Sequence, residues 1–348
     1  MSKFKIEIPT DEGKLQFLGT GCTLLNLACS DRSRGALPKG SMVHIVGDSH
    51  SGKTIEALSS MAEATIDPNF DDYQLVYDDA EAANLFDVKK MFGQKLADRI
   101  MPPAKDEKTG EDRPSETVQE FQQNVIRHVK HKPTIYILDS FDAICSKEEV
   151  EKLQKIMDGK KEKGSYGMEK AKSVGQTLRM ICRTLKRNGS ILIIISQTRD
   201  DTDVMSFSTK THSGGRALKF YAHIQYWLAP GQTIKRTVHG RERIVGRYAV
   251  AKVTKTKATG KVREVQFPIY YDYGIDDIGA SIEWLISEGF WPKVKGGYDA
   301  GEFGIASEDK LMKMIEEKGH EQKLRKAVYK AWHVVEDSMK FNRKAKYS

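Results

Sequence analysis

The stretch GDSHSGKT, residues Gly47, Asp48, Ser49, His50, Ser51, Gly52, Lys53 and Thr54, decides how the rest of the chain is read. Its glycine, four intervening residues and Gly-Lys-Thr have the spacing of a phosphate-binding loop. The apolar run Met42-Val43-His44-Ile45-Val46 before it predicts a buried strand. Ile55, Leu58, Met61, Ala62 and Thr65 after it recur at helical spacing. A glycine loop between strand and helix lets backbone N–H groups converge on an anion, and the positive helix end adds to the attraction. Lys53 then reaches the outer phosphates, and the Thr54 hydroxyl can ligate Mg²⁺.

From Leu37 to about Asp276 the pattern of strand, loop and helix repeats. Leu75-Val76-Tyr77 ends in Asp78-Asp79-Ala80-Glu81, Thr134 to Leu138 ends in Asp139-Ser140, and Ser190 to Ile195 ends in Ser196-Gln197. Near-continuous apolar strands of this kind predict an α/β fold with a mostly parallel sheet covered on both faces. Ligands bind such sheets at the carboxyl ends of the strands, where Glu81, Asp139, Gln197 and the glycine loop all fall. Asp139 is placed to organise Mg²⁺, or else to cap the next helix. Glu81 can take a proton from an attacking water, and Asp78 and Asp79 compete for that role. Gln197 can sense a γ-phosphate by hydrogen bonding, or cap a loop.

Residues 101–115 read as a surface loop, followed by a helix from about Glu116 to Val129. Arg247 to Lys257 and Val262 to Tyr271 alternate around Ala258-Thr259-Gly260-Lys261, an antiparallel hairpin appended to the sheet. Lys255 and Lys257 project from one face of it. From about Gly279 the chain reads as helical, with eleven Lys/Arg against six Asp/Glu between Asp309 and Ser348. Residues 1–35 are expected to form a leader, with a strand at Phe4, Ile6 and Ile8 that pairs with this chain or docks on a neighbour. Residues 36–278 are the expected core, and 279–348 a small basic C-terminal helical lobe.

The 348 residues suffice for a large core without disulfides. An apolar content of 39% and a charged content of 30% suit a globular protein. The formal charge of +8 favours an acidic partner such as nucleic acid. Cys22, Cys29, Cys145 and Cys182 lack metal-ligand spacing and read as reduced thiols. The charged N-terminus has no apolar signal core, and Ile191–Ile195 is too short to span a bilayer. A cytoplasmic location without a membrane partner is expected.

Two segments carry a nucleic-acid pattern. About 157–172, Lys160, Lys161, Lys163, Lys170 and Lys172 surround Gly164, Tyr166 and Met168, cations for phosphates beside an aromatic or apolar wedge for bases. The helix after it has a core stripe, Val174, Leu178, Ile181 and Leu185, and a polar stripe, Lys172, Gln176, Arg179, Arg183 and Arg187. The second segment, about 198–215, lacks periodicity, as functional loops do. Its candidate contacts are Arg199, Phe207, Gly214, Gly215 and the adjoining Arg216; at the glycines backbone amides can approach a phosphate.

Assembled, these residues resemble the RecA family of DNA recombinases, in a compact form similar to those of bacteriophages. The resemblance runs from about Gly19 to Pro292. It rests on TGCTLLNLA, ALPKGSMVHIVGDSHSGKT, the DDAE ending at Glu81, ILDS at Asp139, IISQTR at Gln197, SGGRALKFYA from Ser213 to Ala222, and VTKTK from Val253 to Lys257. It implies a RecA-like ATPase core, with ATP and Mg²⁺ as cofactors. By the same resemblance Glu81 activates water, Thr54 and Asp139 hold Mg²⁺, and Gln197 couples the γ-phosphate to the DNA loops. Lys255 and Lys257 would reach the ATP of the adjacent subunit, and Arg179, Gly214 and Gly215 would lie near the DNA backbone. The implied partners are single-stranded DNA, a homologous duplex, and further copies of the chain in a helical filament or ring. The implied setting is a bacterial cell or phage-infected host. The chain departs from the family at His50, where a small residue is usual, and at Val88, where bacterial RecA has a tyrosine. Asp200, Asp201 and Asp203 make its second DNA segment acidic. The leader lacks a long N-terminal helix, and the C-terminal end is basic. A ring helicase and an accessory recombinase paralogue that uses ATP as a clamp share the core, and are the competing readings.

Overall fold

β1 (Met42–Gly47), β2 (Gln74–Asp79), β3 (Thr134–Asp139) and β4 (Ile191–Asp200) are the apolar runs the sequence marks as strands. Every residue of β1 and β3 is buried, as parallel strands covered on both faces must be. This computed structural model describes residues 16–83, 87–158, 166–200, 210–212, 215–341 and 343. Among them a ten-stranded sheet forms. Ile100–Met101, β2, β3, β4, β1 and β5 (Ile224–Val238) run parallel in that spatial order. β6 (Arg241–Thr256), β7 (Arg263–Tyr270) and Gly274–Ile275 continue the sheet antiparallel. The α/β class, the mostly parallel sheet and the appended hairpin are therefore as expected.

Several local expectations need correction. β5 is absent from the sequence reading, because Pro230, Gly231 and the pair Lys235-Arg236 interrupt its alternation. His239 and Gly240, both at positive φ, form the two-residue turn that matches the twist of the β5–β6 hairpin. β4 runs three residues past Gln197, since Lys210–His212 pairs with Thr198–Asp200; two stretches of the second candidate loop are thus strand. Tyr166 and Met168 join Lys172 in a helix rather than a loop, because the run Glu169-Lys170-Ala171-Lys172 has high helix propensity and carries the helix upstream. Lys160, Lys161, Lys163, Phe207 and Gly214 lie outside the described residues, as does the strand expected at Phe4–Ile8.

Helices cover both faces. α1 (Thr23–Ser30) and α2 (Lys53–Glu63) pack on one. α3 (Val118–His131), α5 (Tyr166–Asn188) and α6 (Gly215–Tyr221) pack on the other. α3 and α4 (Lys147–Met157) begin in reciprocal capping boxes, Thr117 with Glu120 and Ser146 with Glu149. On α5, Val174, Leu178, Ile181 and Leu185 are buried while Arg179, Arg183 and Arg187 are exposed, the two stripes expected. Among the described residues no helix is long and apolar enough to cross a membrane.

The described segments nearest both ends join the same core. Phe17–Leu18 pairs with Leu37–Pro38, and every residue of α1 is buried. After α7 (Asp277–Ser287), a three-stranded antiparallel sheet at 293–306 interrupts the segment expected to be helical. Lys295 and Gly296, the glycine at positive φ, form its first turn. α8 (Glu308–Glu317) and α9 (Glu321–Ser338) follow. Leu311, Ile315, Leu324 and Val328 share an apolar cluster with α1, α2 and β7. Each such buried side chain contributes about 1.5–3 kcal/mol. Arg263 of β7 adds a polar clamp: its guanidinium lies 2.6 Å from Asp31 and 2.7 Å from Glu336, and stacks over Trp332.

Candidate functional site

The loop between β1 and α2 is shaped for close approach to an anion. A Cβ on Gly47 would collide with the Leu228 carbonyl and the Ser51 hydroxyl. Gly52 has φ 89°, and a Cβ there would lie 2.5 Å from Ile269 Cδ1. His50 takes positive φ without being glycine, so the loop holds an uncommon backbone conformation at this position. The Ser51 hydroxyl is buried without a hydrogen-bond partner among the described residues, a donor suited to a bound anion. The α2 N-terminus, starting at Lys53, faces the same space.

Lys53 Nζ donates to the Asp48 carbonyl at 2.7 Å. Burial lowers its pKa from the ordinary value, while the carboxylates of Asp139, Glu81, Asp48 and Asp142 oppose that shift. Thr54 Oγ1 donates to Asp139 Oδ2 at 2.7 Å, and the Tyr77 hydroxyl donates to the same oxygen at 3.1 Å. Burial raises the Asp139 pKa, these two hydrogen bonds oppose the rise, and Glu81 and Asp79 add to it. Thr54 and Asp139 thus offer adjacent hard oxygen donors of the kind Mg²⁺ takes.

Glu81 stands two residues beyond β2. Its Oε1 accepts from Gln197 Nε2 at 3.1 Å and from the Ser140 hydroxyl. The acid and the amide singled out by sequence are therefore in direct contact. Asp78 is not available as an alternative base. It is buried, and it accepts from the Ser115 N–H and hydroxyl and from Tyr136. Asp79 is turned back toward the Ala83 N–H.

Four neighbours were missed by sequence. Tyr77 and Ser140 hold the two carboxylates, Asp142 accepts the Gln197 N–H at 2.7 Å, and Thr198 donates to Asp48 in the loop. Only Asp142 had a local signal, three residues past Asp139.

Lys255 and Lys257 are not brought to this site. Gly47 pairs with Leu228, whereas Lys255 pairs with Gln225, which is level with His44. Three residues of strand separate the two levels, about 10 Å along the sheet. Lys255 Nζ instead donates to the carbonyls of Lys219 and Phe220, at 2.6 and 2.9 Å, at the end of α6. Lys257 lies just beyond the end of β6, its N–H bonded to the His223 carbonyl. Burial and the cations Lys257, Lys255 and Lys186 push the His223 imidazole down to about 4.

Of the candidate DNA contacts, Arg179 is exposed on α5 and Arg216 is exposed near the start of α6. Gly215 is the first residue of α6, and Arg199 lies in the part of β4 paired with Lys210–His212.

Comparison with known proteins addresses the whole arrangement. A family model described as RecA N-terminal domain matches residues 6–276. The Protein RecA of Clostridioides difficile is 28% identical, covering 80% of this chain and 73% of its own length. That of Caulobacter vibrioides is 29% identical, over 84% and 74%. That of Clostridium botulinum is 30% identical, over 79% and 70%. The match takes in every strand that carries the site, and the chain belongs to the RecA family.

Proposed function

We propose that this chain is a DNA-dependent ATPase that assembles on single-stranded DNA as a helical filament and pairs it with a homologous duplex. The observation that carries the reading is the contact between Glu81 and Gln197 beside Lys53, Thr54 and Asp139. An acid there can take a proton from water, and an amide bonded to it can report whether a γ-phosphate is present. Lys53 and the loop amides would hold the phosphates, and Thr54 with Asp139 would hold Mg²⁺. Bound Mg²⁺ would neutralise charge on the phosphates.

The position of Lys255 and Lys257 supports the filament. They lie toward the opposite end of the strands from their own phosphate loop, so any nucleotide they serve belongs to another copy. A heterologous contact of that kind, repeated without closing, builds a helix. Arg179, Arg183 and Arg187 on α5 and Arg216 on α6 are exposed cations on the two helices that adjoin the candidate DNA segments. Lys160, Lys161 and Lys163, with Tyr166, Met168 and Lys172, would supply most of the first contact. Arg199, Phe207, Gly214 and Gly215 would supply the second.

Strand exchange between single-stranded DNA and a labelled duplex tests this reading. Transfer should require ATP and homology. Lys53→Ala should lose both nucleotide binding and transfer, and Glu81→Gln should bind ATP but not turn it over. Unwinding of a duplex without homology would favour the ring helicase. DNA binding that needs ATP but shows no turnover in the wild type would favour the accessory clamp.

A further inference from the structure

Four polar side chains outside this site form a continuous chain across the middle of the sheet. Ser196 Oγ lies 2.9 Å from His44 Nε2. His44 Nδ1 lies 2.9 Å from Gln225 Nε2, and Gln225 Oε1 accepts from Thr254 Oγ1 at 3.0 Å. The four sit on the neighbouring strands β4, β1, β5 and β6. Ser196, His44 and Gln225 are at most 1% exposed. With the Gln225 amide donating to Nδ1, the imidazole proton sits on Nε2 and is donated to Ser196. Desolvating such groups in an otherwise apolar sheet is costly, and apolar side chains of like volume would pack there more cheaply.

The two ends indicate what the network does. Ser196 immediately precedes Gln197, and Thr254 immediately precedes Lys255. Thr254 is also the extra residue of a β-bulge, because Val253 pairs with Tyr226 while Lys255 pairs with the very next residue, Gln225. A bulge re-aims the side chains around it. The hydrogen bond from Thr254 to Gln225 fastens the bulged residue to the network. Lys255 is thereby aimed at the end of α6, the helix that follows the second DNA segment.

We propose that the Ser196–His44–Gln225–Thr254 network positions Lys255, and so links the Gln197 end of one nucleotide site to the lysines presented to the next subunit. The inference rests on the reading above that Lys255 acts on a neighbour's nucleotide. Gln225 and Thr254 are positioning residues under this account.

The test is a double-mutant cycle read by DNA-stimulated ATP hydrolysis. Thr254→Val removes the hydroxyl at nearly constant volume, Thr254→Ser keeps it, and Gln225→Met removes both amide hydrogen bonds at similar length. Thr254→Val and Gln225→Met should each lower stimulated kcat by about 2- to 30-fold, the range over which such networks modulate coupling. KM for ATP and DNA-independent hydrolysis should stay near wild type, and Thr254→Ser should retain stimulation. Added to Lys255→Ala, neither change should cost anything further, because residues acting through one group are not additive. Independent, additive losses would overturn the positioning role, and so would a Thr254→Ser as poor as Thr254→Val. If Lys255→Ala loses stimulation while Thr254→Val and Gln225→Met keep it, only the network claim falls. If Lys255→Ala itself keeps stimulation, the in-trans reading falls and the network claim with it. Should Gln225→Met not fold, the Thr254 pair decides alone.

Discussion

Glu56 shows how far one residue can be read. It lies on α2, two residues past Thr54, fully buried, with hydrogen bonds from Tyr226 at 2.5 Å and Ser60 at 3.1 Å. Burial pushes its carboxyl from 4.5 up to about 7, against those two hydrogen bonds. The unfolded chain releases this proton near 4.5, while the folded chain holds it to about 7. Its contribution to stability is therefore fully present below the unfolded value and is lost as pH rises through the folded one. Glu56→Gln should raise the melting temperature at about pH 8 by about 2–4 °C and change it little at about pH 5. Thermal melts at both pH values check this, and a lower melting temperature at the alkaline pH would contradict it. The catalytic candidates were legible in the sequence because motif spacing and strand ends place them: Lys53, Thr54, Glu81, Asp139 and Gln197 converge as expected. Tyr77, Ser140 and Thr198 were not, because their partners are set by register between strands, which no local pattern encodes. The choice among Asp78, Asp79 and Glu81 also needed structure, since only packing shows Asp78 held by Ser115 and Tyr136.

At the scale of elements, long apolar runs announced β1 to β4, whose central residues are buried on both faces. β5 was hidden because its outer half is exposed and carries polar residues. α5 was read too short because its first turns lack apolar residues at core positions, although helix propensity continues there. The α9 clamp had no sequence signal, since Asp31, Arg263 and Glu336 come from three distant segments. Burial tends to raise the Glu336 carboxyl, but hydrogen bonds from Arg263 and Lys261 hold it below the ordinary range. Glu336→Ala removes one of two carboxylates from a nearly buried Arg263, a loss of about 1–3 kcal/mol. Urea unfolding should show it as a lower midpoint at unchanged slope. A midpoint equal to wild type would mean the apolar contacts of α9 alone hold it down. The first candidate DNA segment makes a separate prediction. Changing Lys160, Lys161 and Lys163 to Gln should flatten the log–log salt dependence of single-strand binding by about 0.7 for each phosphate that is no longer neutralised. An unchanged slope would assign these lysines to a solvated face.

For the molecule as a whole, the proposed function has each nucleotide site finished by the neighbouring copy. The net charge of +8 suits assembly along a polyanion, and the sheet sets the phosphate loop and the lysine pair at different levels of its strands. Mixing two defective proteins measures this claim most directly. Lys53→Ala lacks a working loop but presents both lysines; the double variant Lys255→Ala, Lys257→Ala keeps the loop and lacks the lysines. Each alone on single-stranded DNA should hydrolyse ATP poorly. Cations supplied in trans to phosphoryl transfer are worth about 10³–10⁵ in rate when they are arginines, and lysine, a less directional donor, should fall at or below the lower end. Mixed at varied ratios, the two should regain part of wild-type turnover, with a maximum at an intermediate ratio. If no ratio restores turnover although both proteins still assemble on DNA together, the lysines act within their own subunit or serve structure alone, and the central claim is wrong.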